Sequence, residues 1–148
     1  MRLVCDAMRE GAGTRIAFYN RGGIRGDLVR GPVRMWDIAT VAPFKNKLLE
    51  CEMTGAQVRE FILAERPGVS GMRYRISGGR LVEATVDGKP LDDSERYTVA
   101  VTDFMLNTMM DGVAATRTVS DDYRSALRQY IRGKRVIAPV DDGRELVE

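Results

Sequence analysis

No stretch of this chain constrains the fold as tightly as residues 47–62. Leu49, Cys51 and Met53 point one way and Glu50 and Glu52 the other, the period-two pattern of a strand with one wet face. The strand runs straight into Thr54-Gly55-Ala56-Gln57. A threonine followed three residues later by a glutamine satisfies two orphan backbone donors at a helix start, so this capping box predicts a helix. Val58, Phe61 and Ile62 continue it as one apolar face, and Pro67 prevents its extension.

The same reading applies on both sides. Leu3, Val4, Ala7 and Met8 mark a first helix closed by Gly11, and residues 15–19 read as a strand with Ile16 and Phe18 on one face and Ala17 and Tyr19 on the other. Residues 35–40 predict a short helix and residues 43–46 a loop. Strands are expected at residues 72–76, 80–86 and 97–102, with Asp87-Gly88 as a turn and Pro90 keeping its segment out of a central strand. Tyr123, Ala126, Leu127, Tyr130 and Ile131 mark a last helix, capped by Ser120 or Asp121 and ended by Gly133. Residues 136–148 read as an extended tail. Strands and helices mix without regular βαβ alternation, so the expectation is an α+β fold, a mixed β-sheet with packed helices, in a single domain over residues 1–148.

The chain's 148 residues are 44% hydrophobic and 30% charged, as in a soluble globular domain with one sizeable core. No apolar run reaches the roughly 18 residues that cross a bilayer, and no apolar core of an export signal stands at the start. The net charge of +2 is too weak to argue for a nucleic-acid polymer as partner. There is no histidine, which removes Ser-His-Asp chemistry and histidine metal ligation. Cys5 and Cys51 each fall on an apolar face, which favours buried free thiols over a disulfide.

Between Asn20 and Pro32 lie three arginines and four glycines, directly after a strand. The segment is either a solvated turn or an anion site, in which backbone N–H groups approach the ligand and Arg25 adds a two-pronged donor. Phe44 lies in a Pro-Phe-x-Asn loop, and Phe104 follows the strand at 97–102. Each ring either covers the core or stacks on a flat ligand. Two aromatics, a basic loop and a carboxylate together describe a nucleotide pocket.

The order of motifs gives that description a family. Asn20 to Arg25 (Asn-x-Gly-Gly-Ile-Arg), Gly31 to Val33 (Gly-Pro-Val), Pro43 to Asn46, Met53 to Gln57, Ser70-Gly71 and Tyr97 to Phe104 resemble, in order and spacing, the C-terminal domain of the 5'-nucleotidase, UDP-sugar hydrolase and 2',3'-cyclic phosphodiesterase family. Val4 to Met8 resembles that domain's opening helix, and Asp142-Gly143-Arg144 its tail.

The resemblance implies a nucleotide-binding half whose parent is a metal-dependent phosphoric monoester hydrolase. Two divalent metal ions would belong to an N-terminal metallophosphatase domain, and no cofactor to this chain. It assigns Arg25 to the charged part of a nucleoside monophosphate, Asn20 to a polar contact near the base, and Phe44 and Phe104 to the two faces of the base. Asn46 would line the same pocket, Gly71 would let the backbone approach the base, and Asp111 would accept hydrogen bonds from ribose hydroxyls. It also implies an extracytoplasmic parent, and a fragment of a larger two-domain protein that is inactive alone.

Three departures stand out. The family's Gly-Gly before the acidic residue is Met109-Met110 here, with one additional residue after Phe104, so the turn is expected to differ. Arg21 replaces a small residue, as either a further anion contact or a solvated side chain. The substrate-binding arginines that the family places ahead of the first helix are missing. The alternative is therefore a degenerate structural or interaction module of the same fold that no longer binds nucleotide; in it the two rings would pack into the core.

Overall fold

The computed structural model describes residues 1–139 and 141–148. Its elements run α1 (Arg2–Ala12), β1 (Ile16–Tyr19), a 3₁₀ turn (Arg21–Gly23), α2 (Met35–Val41), β2 (Leu48–Thr54), α3 (Gly55–Glu65), β3 (Gly68–Ser70), β4 (Met72–Ser77), β5 (Arg80–Val86), β6 (Lys89–Pro90), β7 (Arg96–Thr102), α4 (Asp103–Met109), β8 (Ala115–Ser120), α5 (Arg124–Lys134) and β9 (Glu145–Val147). Among the described residues the strands make two sheets, ordered β3-β1-β7-β2-β8 and β6-β5-β4-β9. In the first, β1 and β7 are parallel and the other pairs antiparallel. The class is α+β.

The first sheet separates two apolar clusters, as strand alternation requires. Ile16, Phe18, Cys51, Met53 and Val99 face one side, where they pack with Phe61 and Ile62 of α3 and Met105 of α4. Ala17, Tyr19, Leu48 and Ala100 face the other, against Val4 and Met8 of α1, Ile38 of α2 and Ala126 and Leu127 of α5. The capping box forms: the Gln57 N–H donates to the Thr54 hydroxyl at 3.3 Å, and the Thr54 N–H donates to the Gln57 side chain at 2.9 Å.

Several boundaries move for identifiable reasons. α1 continues to Ala12 and closes on Gly13 at φ 69°. Gly11 instead lets α5 come close, since a Cβ there would lie 2.8 Å from the Ala126 Cβ. α5 passes through Gly133 and ends on Arg135 at φ 59°. Its start is organised by Ser120, whose hydroxyl accepts the Asp122 N–H at 3.2 Å, and by Asp122, whose carboxylate accepts the Arg124 N–H at 3.0 Å, whereas Asp121 reaches Lys47 at 3.8 Å.

The segment after Phe104, expected as a turn, is α4. The Thr102 hydroxyl accepts the Met105 N–H and caps it, and Met110 is buried in the core just past its end. β3 and β8 also escaped the pattern. The expected extended tail ends in β9, parallel to β4; residue 140 lies outside the described residues. Arg144 fastens the tail by donating to Asp6 of α1 at 2.6 Å, while a bond to Asp142 within the tail, at 2.7 Å, orients its guanidinium.

Candidate nucleotide site

Register places one row of residues across one end of the first sheet. Tyr19 is opposite Gly68, so Asn20 emerges beside Pro67. The parallel pairing of Ala17 with Ala100 brings Asn20 level with Asp103, and Leu48 opposite Thr102 brings Lys47 level with Asp103. The backbone closes this row. The Lys47 N–H donates to the Asp103 carboxylate at 3.1 Å, and the Asp103 N–H to the Lys47 carbonyl at 3.2 Å. The Phe44 loop and the first turn of α4, which carries Phe104, are thus tied to each other.

A hollow of about 350 Å³ opens at this end. Phe61, Pro67, Phe104, Met105 and Met109 give it apolar lining; Asn20, Arg21 and Glu65 give it polar side chains. Phe104 is 45% exposed and Phe44 42% exposed, and neither ring is in contact with another aromatic among the described residues. The exposed Arg25 guanidinium stands 5.5 Å from the Phe44 ring centroid, a cation–π pair with no carboxylate partner. Its backbone N–H donates to the Val41 carbonyl at 2.9 Å, which pins the arginine loop to the end of α2.

Of the residues picked from the sequence, Asn20 and Phe104 share the hollow and Arg25 and Phe44 share the cation–π pair. Asn46 is half-buried, and its carbonyl accepts the Tyr123 N–H at 2.9 Å. Gly71 is not brought to this group. β3 runs antiparallel to β1, so Gly71 lies four residues beyond Pro67, about 13 Å away along the strand. It lines a separate polar hollow with Asp6, Arg9 and Arg73. Its need for glycine is local: φ is 78°, and a Cβ would lie 1.9 Å from the Arg15 carbonyl oxygen. Asp111 is also apart, exposed in the turn beyond α4 and outside the residues lining the hollow. The positive φ there belongs to Gly112 at 72°, and neither Met109 nor Met110 has to adopt one.

The sequence does not single out Glu65, Tyr19 or Tyr123 as parts of the site, and it leaves Arg21 open between an anion contact and a solvated side chain. Glu65 is one helical turn after Phe61 and on the same face, which the spacing alone could have shown. Arg21 donates to the Arg66 carbonyl at 2.8 Å, which holds its side chain at the hollow. Tyr19 and Tyr123 lie beneath. The Tyr19 hydroxyl donates to the Gly23 carbonyl at 3.2 Å and lies 2.7 Å from the Tyr123 hydroxyl. A Cβ on Gly23 would meet the Tyr19 ring at 2.5 Å, so this glycine is needed for space. Tyr123 therefore holds both loops: the arginine loop through Tyr19, and the Phe44 loop through Asn46.

Sequence comparison decides the family. The family described as 5'-nucleotidase, C-terminal domain, matches residues 1–117. The chain belongs to this family. Endonuclease YhcR of Bacillus subtilis is 35% identical to this 5'-nucleotidase C-terminal domain over 113 residues, covering 70% of the chain and 9% of YhcR. A 5'-nucleotidase of Vibrio vulnificus is 32% identical over 109 residues, covering 66% of the chain and 20% of that protein. The crystal structure of a 5'-nucleotidase precursor from Thermus thermophilus superposes with a TM-score of 0.86 at 26% identity, over 99% of this chain and 34% of that one. The domain thus spans between 9% and 34% of the length of these relatives. Among its described residues no three Cys, Asp or Glu side chains gather as a metal site, and the chain has no histidine.

Proposed function

We propose that this domain holds a nucleotide for a metal-dependent phosphoric monoester hydrolase whose metal pair belongs to an N-terminal metallophosphatase domain of the parent protein. The reading rests on one observation above all: Phe44 and Phe104 are left about half exposed at the same end of one sheet, on segments tied together through Lys47 and Asp103. Large apolar rings are normally buried when a core is available. Here they are free to receive the faces of a base, each stacking contact contributing roughly 1–3 kcal/mol.

Arg25 takes the phosphate. Its guanidinium is a fixed charge that suits two-pronged binding of phosphate oxygens, and the Phe44 ring beside it limits the positions it adopts. Asn20 and Asn46 supply polar contacts around the base. Neither side chain makes a hydrogen bond within the described chain, so both are available to a ligand. The domain orients substrate and carries out no hydrolysis by itself. An extracytoplasmic parent is part of this reading, and it rests on the family alone.

The competing reading, a module that has lost its pocket, draws on Met109-Met110. Met110 is indeed buried, but Met109 lines the hollow without closing it, and both candidate stacking rings remain exposed. Calorimetric titration with AMP separates the two readings. Binding by the wild-type chain and a roughly tenfold to hundredfold loss in Phe44→Ala is expected from the stacking energy above. Absence of binding at millimolar AMP would favour the lost-pocket module, and binding with equal affinity in the variant would count against base stacking on Phe44.

A further inference from the structure

Resting on the nucleotide-binding reading, we infer that Glu65 selects the base, and that the base it selects is guanine. Glu65 ends α3, one turn after Phe61 on the helix face that lines the hollow, and Arg66 and Pro67 turn the chain away behind it. Its carboxylate is exposed, and no hydrogen bond or ion pair holds it within the described chain. The neighbouring Arg21 donates its Nε–H to the Arg66 carbonyl and forms no ion pair with Glu65. Glu65 is thus an acceptor-only group, free of partners in the described chain, at the edge of the hollow that Phe104 lines.

A base stacked on Phe104 presents its edge to the side of the hollow. Guanine offers two parallel donors at its Watson–Crick edge, N1–H and the exocyclic N2–H, which match both oxygens of a carboxylate. Such charge-assisted, two-pronged contacts are about twice as strong as neutral ones. Adenine offers one amino donor beside the N1 lone pair, which the second carboxylate oxygen repels. Hypoxanthine keeps N1–H and lacks the amino group, so it ranks between the two. Among the side chains that line the hollow, Asn20 donates and accepts equally well and Arg21 only donates, so neither favours guanine in this way. Because Glu65 is solvent-exposed, water competes for its oxygens and the discrimination is moderate.

The test is calorimetric titration of the full chain with GMP, IMP and AMP. GMP is expected to bind about tenfold more tightly than AMP, with IMP between them. In Glu65→Gln the ratio should fall to about one, because the amide serves adenine as well as guanine. Phe104→Ala should weaken all three ligands alike. Equal affinities in the wild type, or a guanine preference that survives Glu65→Gln, would overturn the inference while leaving the nucleotide site standing, provided Phe104→Ala still weakens binding. If Phe104→Ala changes nothing, the hollow does not hold the base, and the inference falls together with the reading it rests on.

Discussion

The hydroxyl of Tyr123 lies 2.7 Å from that of Tyr19, with the rings tilted at 43° and their centroids 5.4 Å apart, both fully buried. Tyr19 has one proton, and it goes to the Gly23 carbonyl. Tyr123 must therefore donate to the Tyr19 oxygen. Burial pushes both phenols up in pKa, so the pair stays neutral throughout the ordinary pH range. The direction of donation makes the two hydroxyls unequal. Tyr123→Phe removes one donor and leaves the Gly23 contact intact, at a cost of about 1 kcal/mol. Tyr19→Phe strands the Tyr123 hydroxyl and releases the arginine loop, at about 2–3 kcal/mol. Urea denaturation should give that order. AMP affinity should fall more in Tyr19→Phe, because Gly23 is two residues from Arg25.

Gly71→Ala separates a structural glycine from a ligand-binding one. The added Cβ would overlap the Arg15 carbonyl at a residue with φ 78°. Left-handed strain and overpacking together predict a loss of about 2–4 kcal/mol. Gly71 lies at the end of the sheet away from Phe104, so AMP affinity of the folded fraction should not change. A variant with normal stability and lost binding would place the base at the other end.

The thiols offer a test of the two-sided core. Cys5 packs with α5 on one face of the first sheet, and Cys51 packs with α3 on the other. The sheet lies between them, and both are free and buried. Burial pushes the Cys51 thiol up to about 12 and the Cys5 thiol up as well. Neither should react with a disulfide reagent at pH 8 in the native state, and both should react in denaturant. Fast native labelling of either would mean that its side of the core is open.

What the sequence revealed follows from where the physics is local. The Thr54–Gln57 cap and the alternation of Leu49, Cys51 and Met53 depend on neighbouring residues alone, and both stand in the structure. β8 carries Ala115-Thr116-Arg117-Thr118, exposed at the edge of the sheet, so it has no apolar period to read. α4 escapes the pattern because the segment after Phe104 reads as an altered turn, whereas Thr102 caps a helix there. The Arg25 and Phe44 motifs were legible and lie together. That Pro67 rather than Gly71 reaches the hollow depends on β3 running antiparallel to β1, which no local pattern shows.

Acid should loosen the tail first. Asp142 accepts two-pronged hydrogen bonds from Arg144, which pull its carboxyl down from 3.8 to about 2. The folded state therefore holds this proton less tightly than the unfolded chain does. The stability this pair contributes is complete above about pH 5, and it is lost as pH falls through the unfolded value towards about 2. Arg144 stays charged throughout and is the group that binds Asp6 of α1, so protonation of Asp142, its neighbour in the tail, frees the guanidinium that the Asp6 contact depends on. Asp142→Asn should lower the melting temperature at pH 7 and flatten its decline between pH 4 and pH 2. If the variant and the wild type lose stability in parallel over that range, other carboxylates control the acid transition and the Arg144 clasp does not.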